Sequence, residues 1–214
     1  MRATFAKSNF SASELYDVYS KLEKIFGEGN VLFIGGRAVN LLCEKNQRST
    51  HDIDVAVLVP EDKIMGIRRK AIDEGFVILK EKGGMVTSIE TVTHGNKPMQ
   101  INLYYDRPIS GIPIDYLFKT SIEIEKFQGK ETYSFKVANP GVLLVLKYFA
   151  YNEADKNNKE KHLDDIKSLL YTYGGIDKFF SEFGDVIEDL FSEENYKLFK
   201  ENIKSMVFSE ILRY

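Results

Sequence analysis

The decisive stretch of the chain reads Val31-Leu32-Phe33-Ile34-Gly35-Gly36-Arg37-Ala38-Val39-Asn40-Leu41-Leu42 and then, after residues 43–47, Arg48-Ser49-Thr50-His51-Asp52-Ile53-Asp54-Val55-Ala56-Val57-Leu58-Val59. The apolar run 31–34 has the composition of a buried strand, and the glycine pair breaks it. Residues 37–44 then read as a helix, and a second strand begins at Asp52. Side chains alternate along a strand, so Asp52 and Asp54 share one face while Ile53 and Val55 share the other. Two carboxylates about 7 Å apart on one strand face repel each other unless a cation sits between them. Magnesium, a hard cation, takes such oxygens, keeps waters and completes its shell with substrate phosphates. Glycines let the backbone approach a phosphate closely, beside a helix N-terminus that favours negative charge. A phosphate cradle followed by metal carboxylates points to nucleotidyl transfer. The competing reading is a surface strand with solvated aspartates and a glycine turn that binds nothing.

Composition bounds the rest. A chain of 214 residues can bury a substantial core as one domain, or as a domain with a helical appendage. The net charge is −3, without a Lys/Arg block or an arginine-rich tail, which argues against extensive sequence-independent nucleic-acid binding. The single cysteine, Cys43, rules out an internal disulfide and sits on the apolar side of the helix after the glycines, as a packing residue. No N-terminal apolar run resembles a signal peptide and no stretch approaches membrane-spanning length, so a cytoplasmic protein is expected. Neither internal repeats nor low-complexity segments are seen.

Taken in order, residues 1–10 read as a loose or edge segment, and Ser11-x-x-Glu14 matches a capping box. The helix it opens carries Leu15, Val18, Tyr19, Leu22, Ile25 and Phe26 at helical spacing and stops at Gly27 and Gly29. After Pro60, residues 61–74 read as one helix with Ile64, Ile67, Ala71 and Ile72 on its apolar side and Gly75 as its stop. Arg68-Arg69-Lys70 on it reads as a solvated face rather than a phosphate site. Short strands are expected at 76–79, 85–93 and 99–105, with turns at 80–84 and 94–98, and the last two strands form a hairpin. Residues 107–121 read as a loop with a short helix, and 122–127 with 133–137 as a final hairpin. Asn139-Pro140-Gly141 opens a helix that is apolar almost all round over 142–151 except at Lys147, and a helix of that kind belongs in a core. A further helix begins at Lys161, and two more follow over 176–183 and 185–212, rich in phenylalanine and tyrosine that pack on the sheet domain or on a second subunit.

The glycine pair followed by Arg48-x-Thr50-x-Asp52-Ile53-Asp54 resembles the signature of the polymerase-beta-type nucleotidyltransferase superfamily, above all its small prokaryotic branch of abortive-infection and toxin–antitoxin nucleotidyltransferases. The resemblance covers residues 31–170. It implies an α+β fold with a nucleotidyltransferase-like mixed sheet flanked by helices over residues 1–138, and a C-terminal helical region packed on it over 139–214. It also implies magnesium or manganese held by Asp52 and Asp54, and a triphosphate bound by Gly35, Gly36, Arg37, Arg48, Thr50 and Lys147. A third carboxylate is expected on a neighbouring strand, where this chain reads Gln100-Ile101-Asn102-Leu103-Tyr104. Asparagine carries no charge and cannot act as a base. That leaves one nucleotide-associated metal site, and makes Asp106, on the same face, the candidate third catalytic acid if the strand end bends inward. Asp115 is a second candidate, though its phrase resembles a non-catalytic segment of the relatives. Lys147 with the later Lys161-His162-Leu163-Asp164-Asp165 also resembles these proteins, with His162 a departure from their pattern and Asp165 orienting a basic group. A purely structural pairing of Lys147 with a carboxylate explains the same residues.

The implied activity is transfer of a nucleoside monophosphate from a nucleoside triphosphate to a hydroxyl acceptor, a small molecule or a protein, with release of pyrophosphate. A protein partner or a homodimer is in keeping with it, whereas membrane and nucleic acid are not expected. The other class is a nucleotide-binding or partner-binding relative, an antitoxin or regulatory module, and Asn102 is the feature that favours it.

Overall fold

The two strands of the glycine–aspartate motif lie side by side in the middle of a seven-stranded sheet. The computed structural model describes residues 10–43, 50, 52–59, 61–82, 85–92, 98–105 and 107–211. Within them the order is α1 (Ala12–Phe26), β1 (Val31–Ile34), α2 (Gly35–Leu42), β2 (Asp52–Val57), a 3-10 segment (Glu61–Gly66), α3 (Ile67–Asp73), β3 (Val77–Lys82), β4 (Met85–Val92), β5 (Pro98–Tyr104), α4 (Ile114–Thr120), β6 (Ile122–Gln128), β7 (Glu131–Val137), α5 (Pro140–Glu153), α6 (Lys156–Thr172), α7 (Ile176–Glu188) and α8 (Glu193–Ile211). The sheet order is β3-β4-β5-β2-β1-β7-β6. β1 runs antiparallel to β2 and parallel to β7, and β2 runs parallel to β5. The α+β mixed sheet flanked by helices is thus the observed architecture.

All four residues of β1 are buried, as a continuous apolar strand covered on both faces requires. On β2 only Ile53, Val55 and their successors are buried, so the alternation separates a core face from an acidic one. The capping box at Ser11 is formed in both directions, with the Glu14 amide donating to Ser11 Oγ and the Ser11 amide to Glu14. Helix α1 packs with α3 against the sheet, while α5 packs against α2, α6 and α7. Helix α5 buries eight residues in succession, Pro140 to Lys147, and Asn139 caps it by accepting from the Gly141 amide at 2.8 Å. The C-terminal aromatics gather on this helix: Tyr148 meets Phe199 edge-on at 4.9 Å, and Phe191 stacks on Phe199 at 5.1 Å. They and the sheet share one buried cluster, which also contains Cys43.

Several boundaries differ from the sequence expectation. Residues 61–74 are a 3-10 segment followed by a short α-helix, not one helix, and Ile72 is 53% exposed. Ile67 and Ala71, one helical turn apart, form the buried stripe, and Ile72 falls a third of a turn off it. Arg68 reaches Glu81 at 3.1 Å and Arg69 reaches Asp73 at 3.9 Å, all solvent-facing. Strand β3 continues through Lys82, and residues 83–84 and 94–97 of the expected turns, with Thr93 of the expected strand, lie outside the described residues. Helix α6 starts at Lys156, because Asp155 accepts from the Asn158 amide at 2.9 Å. Gly184 is no helix break: it lies inside α7, where an added Cβ would come within 3.0 Å of the Tyr196 hydroxyl, so it permits close approach of α8.

Removing the buried cap of α5 tests whether that helix supports the whole core. Asn139→Ala is expected to cost about 1 kcal/mol, read as a lowered urea midpoint with an unchanged slope.

Candidate active site

Antiparallel pairing of β1 and β2 sets Ile34 opposite Asp54, which brings the carboxylate over the point where the chain leaves β1 and enters α2. Gly35 occupies that point with a φ of +68°, and a Cβ built on it would fall 2.2 Å from Asp54 Oδ2. The glycine therefore meets two demands, a left-handed backbone and room for an acid. Gly36 follows, buried in the first turn of α2.

Parallel pairing of β2 and β5 puts Gln100 beside Asp52 and Asn102 beside Asp54. Asn102 Nδ2 donates to Asp54 Oδ1 at 3.1 Å and to Asp52 Oδ2 at 3.4 Å, and the Tyr104 hydroxyl donates to Asp54 Oδ1 at 3.4 Å. Burial pushes the Asp54 carboxyl above the usual carboxylate range and the charge of Asp52 adds to this, while the Asn102 hydrogen bond, the charge of Lys147 and the Tyr104 hydroxyl pull it down. Tyr104 is itself pushed up to about 12, first by burial and then by the charge of Asp54, so it stays a donor. Asp52 lies at the solvent edge of the same face.

Lys147 on α5 supplies positive charge toward Asp54, and its Nζ is held by Asp165 Oδ2 at 2.7 Å with both side chains almost fully buried. The sequence left open whether this lysine serves the cleft or is paired structurally, and the structure gives it a carboxylate partner next to the acidic face. Arg37 is also buried: its guanidinium donates to the Thr50 carbonyl at 3.0 Å and lies over the Phe10 ring at 5.3 Å. Arg37 thus ties Thr50, two residues ahead of β2, to α2. Arg48 and Asp106 lie outside the described residues. Asp115 is exposed in the first turn of α4, and His162 is half-buried on α6.

Beside Asn102 and Tyr104 the face opens into a groove of about 570 Å³ lined by Lys80, Lys82, Ser88 and Gln100. A neighbouring cavity of about 720 Å³ shares Tyr104 and is bordered by Arg107. Among the described residues no three His, Cys, Asp or Glu side chains gather as a metal site. Two carboxylates on one face, one of them desolvated beside its neighbour's charge, do fit a single hard cation, which would relieve their repulsion. Sequence reading placed Asn102 and Tyr104 on this face but passed over Gln100; the alternation along β5 was the available signal, and the partner strand was not.

Residues 17–212 match the sequence model of a family described as nucleotidyl transferase AbiEii toxin, type IV TA system. Among curated proteins, none matches the chain by sequence. By structure the chain is similar to an antigenic nucleotidyltransferase-like protein from Paracoccidioides brasiliensis at 15% identity, covering 90% of this chain and 94% of that one with a TM-score of 0.54. This is a likeness of fold. Weaker similarity is found to the antibiotic-resistance factor ANT(2'')-Ia (11% identity, 90% and 98% covered, TM-score 0.48) and to the lincosamide antibiotic adenylyltransferase LnuA in its lincomycin-bound form (16% identity, 76% and 98% covered, TM-score 0.42).

A double-mutant cycle separates the two roles of the buried pair. Lys147→Met or Asp165→Leu alone leaves an uncompensated charge and is expected to cost about 3–5 kcal/mol in denaturant unfolding, while the double substitution returns most of that stability. Gly35→Ala is expected to cost at least about 1–2 kcal/mol from its left-handed backbone alone, with further loss from displacement of Asp54.

Proposed function

The chain belongs to the AbiEii nucleotidyltransferase toxin family, and from that premise we propose that its acidic face transfers a nucleoside monophosphate from a nucleoside triphosphate to a hydroxyl acceptor. The observation that carries the reading is that Asp52 and Asp54 share one strand face, with Asp54 seated over Gly35 and Lys147 adding positive charge. Asp52 and Asp54 would hold magnesium or manganese, which when bound neutralises charge on the triphosphate oxygens. The amides at the start of α2, at Gly35 and Gly36, offer donors and a positive helix end to phosphate. Lys147, held by Asp165, adds fixed positive potential from the core side. Tyr104 and Asn102 keep Asp54 oriented through hydrogen bonds.

In the transfer, the acceptor oxygen forms a bond to the α-phosphorus and the bond to the β-bridging oxygen breaks. Pyrophosphate leaves, and the acceptor's proton passes to water. The acceptor belongs to one of two groups, a small molecule or a protein side chain, and a protein partner accords with the toxin–antitoxin description of the family. ATP is the natural first donor to try. A second reading, a relative that binds triphosphate or a partner without transfer, draws on Asn102, since among the described residues no third carboxylate gathers with Asp52 and Asp54.

The test is incorporation of labelled nucleotide from each of the four triphosphates with magnesium. Asp52→Ala and Asp54→Asn are each expected to lower it by about 100-fold or more, the scale of losing a key electrostatic contact. Saturable triphosphate binding without pyrophosphate release would select the second reading. Asp54→Asn should also raise the metal-free melting temperature by about 2–4 °C, the shift matching ~1 kcal/mol in a chain of this size. The sign follows from linkage: a carboxyl whose folded pKa is raised weakens the fold at neutral pH, and ceases to do so as pH falls through the folded value.

A further inference from the structure

The third position on the acidic face is an amide whose orientation is fixed from behind. Asn102 Oδ1 accepts from Gln100 Nε2 at 3.2 Å, and the same Gln100 nitrogen reaches Ser88 Oγ at 3.4 Å. With its only oxygen engaged there, Asn102 presents its NH₂ to the carboxylates, donating to both. The register makes this arrangement specific: Asn102 lies between Asp54 on β2 and Ser88 on β4, with Gln100 two residues back on the same face. An amide turned this way offers no lone pair toward the acids, and its oxygen is not available on this face as a third ligand beside the two carboxylates. It also lowers the repulsion between Asp52 and Asp54 when no ion is bound.

We propose that this is a one-cation face. Asp52 and Asp54 take a single divalent ion, Asn102 ligates none, and Gln100 is the positioning residue that keeps the amide nitrogen toward the acids. The inference rests on the reading that the acid pair holds a cation. To become a ligand the Asn102 amide must turn over, and that gives up its bonds to Gln100, Asp52 and Asp54 together. A carboxylate at position 100 removes this hold, because it accepts where glutamine donates. It draws the Asn102 NH₂ backward and turns the amide oxygen to the acids.

The experiment is a manganese titration of the full chain, with free Mn²⁺ read by electron paramagnetic resonance and folding checked by circular dichroism. The wild-type chain is expected to bind one Mn²⁺, while Asn102→Asp gains a second and Gln100→Glu either gains a second or binds the first several-fold more tightly. Metal-free Asn102→Asp should melt below wild type and recover more than wild type does when Mn²⁺ is added. Two ions on the wild-type chain, or one ion of unchanged affinity on both folded variants, overturns the one-cation assignment and leaves the acid-pair reading standing. No Mn²⁺ on any folded chain instead overturns the acid-pair reading itself. Should Asn102→Asp fail to fold, Gln100→Glu alone decides the outcome.

Discussion

The seat of Asp54 over Gly35 is the constraint on which the candidate site depends. It couples three levels at once: the antiparallel register of β1 and β2, the left-handed turn into α2, and the burial that makes the carboxylate reluctant to ionise. A slip of one residue in that register would turn the acids to the core face and the isoleucine and valine to solvent. The apolar side of β2 therefore protects the site as well as the fold. Asn102 and Tyr104 hydrogen-bond to the carboxylate held in this place, and Lys147 adds positive charge toward it.

Burial and charge are balanced here at the expense of local stability. Asp54 is partly desolvated next to a second acid, and the nearby lysine is itself claimed by Asp165. A structure selected for stability alone would hardly retain two adjacent acids with so little compensation, and sites that act on charged ligands commonly do. The buried pair also ties α5 to α6 while its lysine adds positive charge toward Asp54, so core packing and the electrostatics of the cleft are not independent.

What could be read from sequence was whatever depends on local chemistry. The apolar run before two glycines, the alternation of Asp52-Ile53-Asp54-Val55, the capping box at Ser11 and the Asn139-Pro140 start each carry their own structural instructions, and they placed β1, β2, α1 and the α5 start correctly. Breaks that follow from packing were not legible: Gly184 looks like a helix stop but serves close approach to Tyr196, and Ile72 looks apolar enough for the core yet lies off the stripe. At the site, the acids and Asn102 were visible because strand alternation is local. The role of Gln100 was not, because it depends on β5 lying parallel to β2 and on Ser88 arriving from β4, and such long-range pairing leaves no mark on a single segment. Arg37 and Thr50 were read as phosphate-binding residues from their place in the motif, and the contact between them that the fold creates was likewise invisible.

The clearance above Gly35 also limits which acid can stand opposite it. With Asp54 Oδ2 only 2.2 Å from where a methyl carbon would be, the carboxylate takes up the space that the absent side chain leaves open. Glutamate would keep the charge but add a methylene, pushing its oxygens past the mouth of the turn and out of line with Asp52. At this position reach is selected as strictly as sign, so an exchange that chemistry tables class as conservative is here a change of geometry.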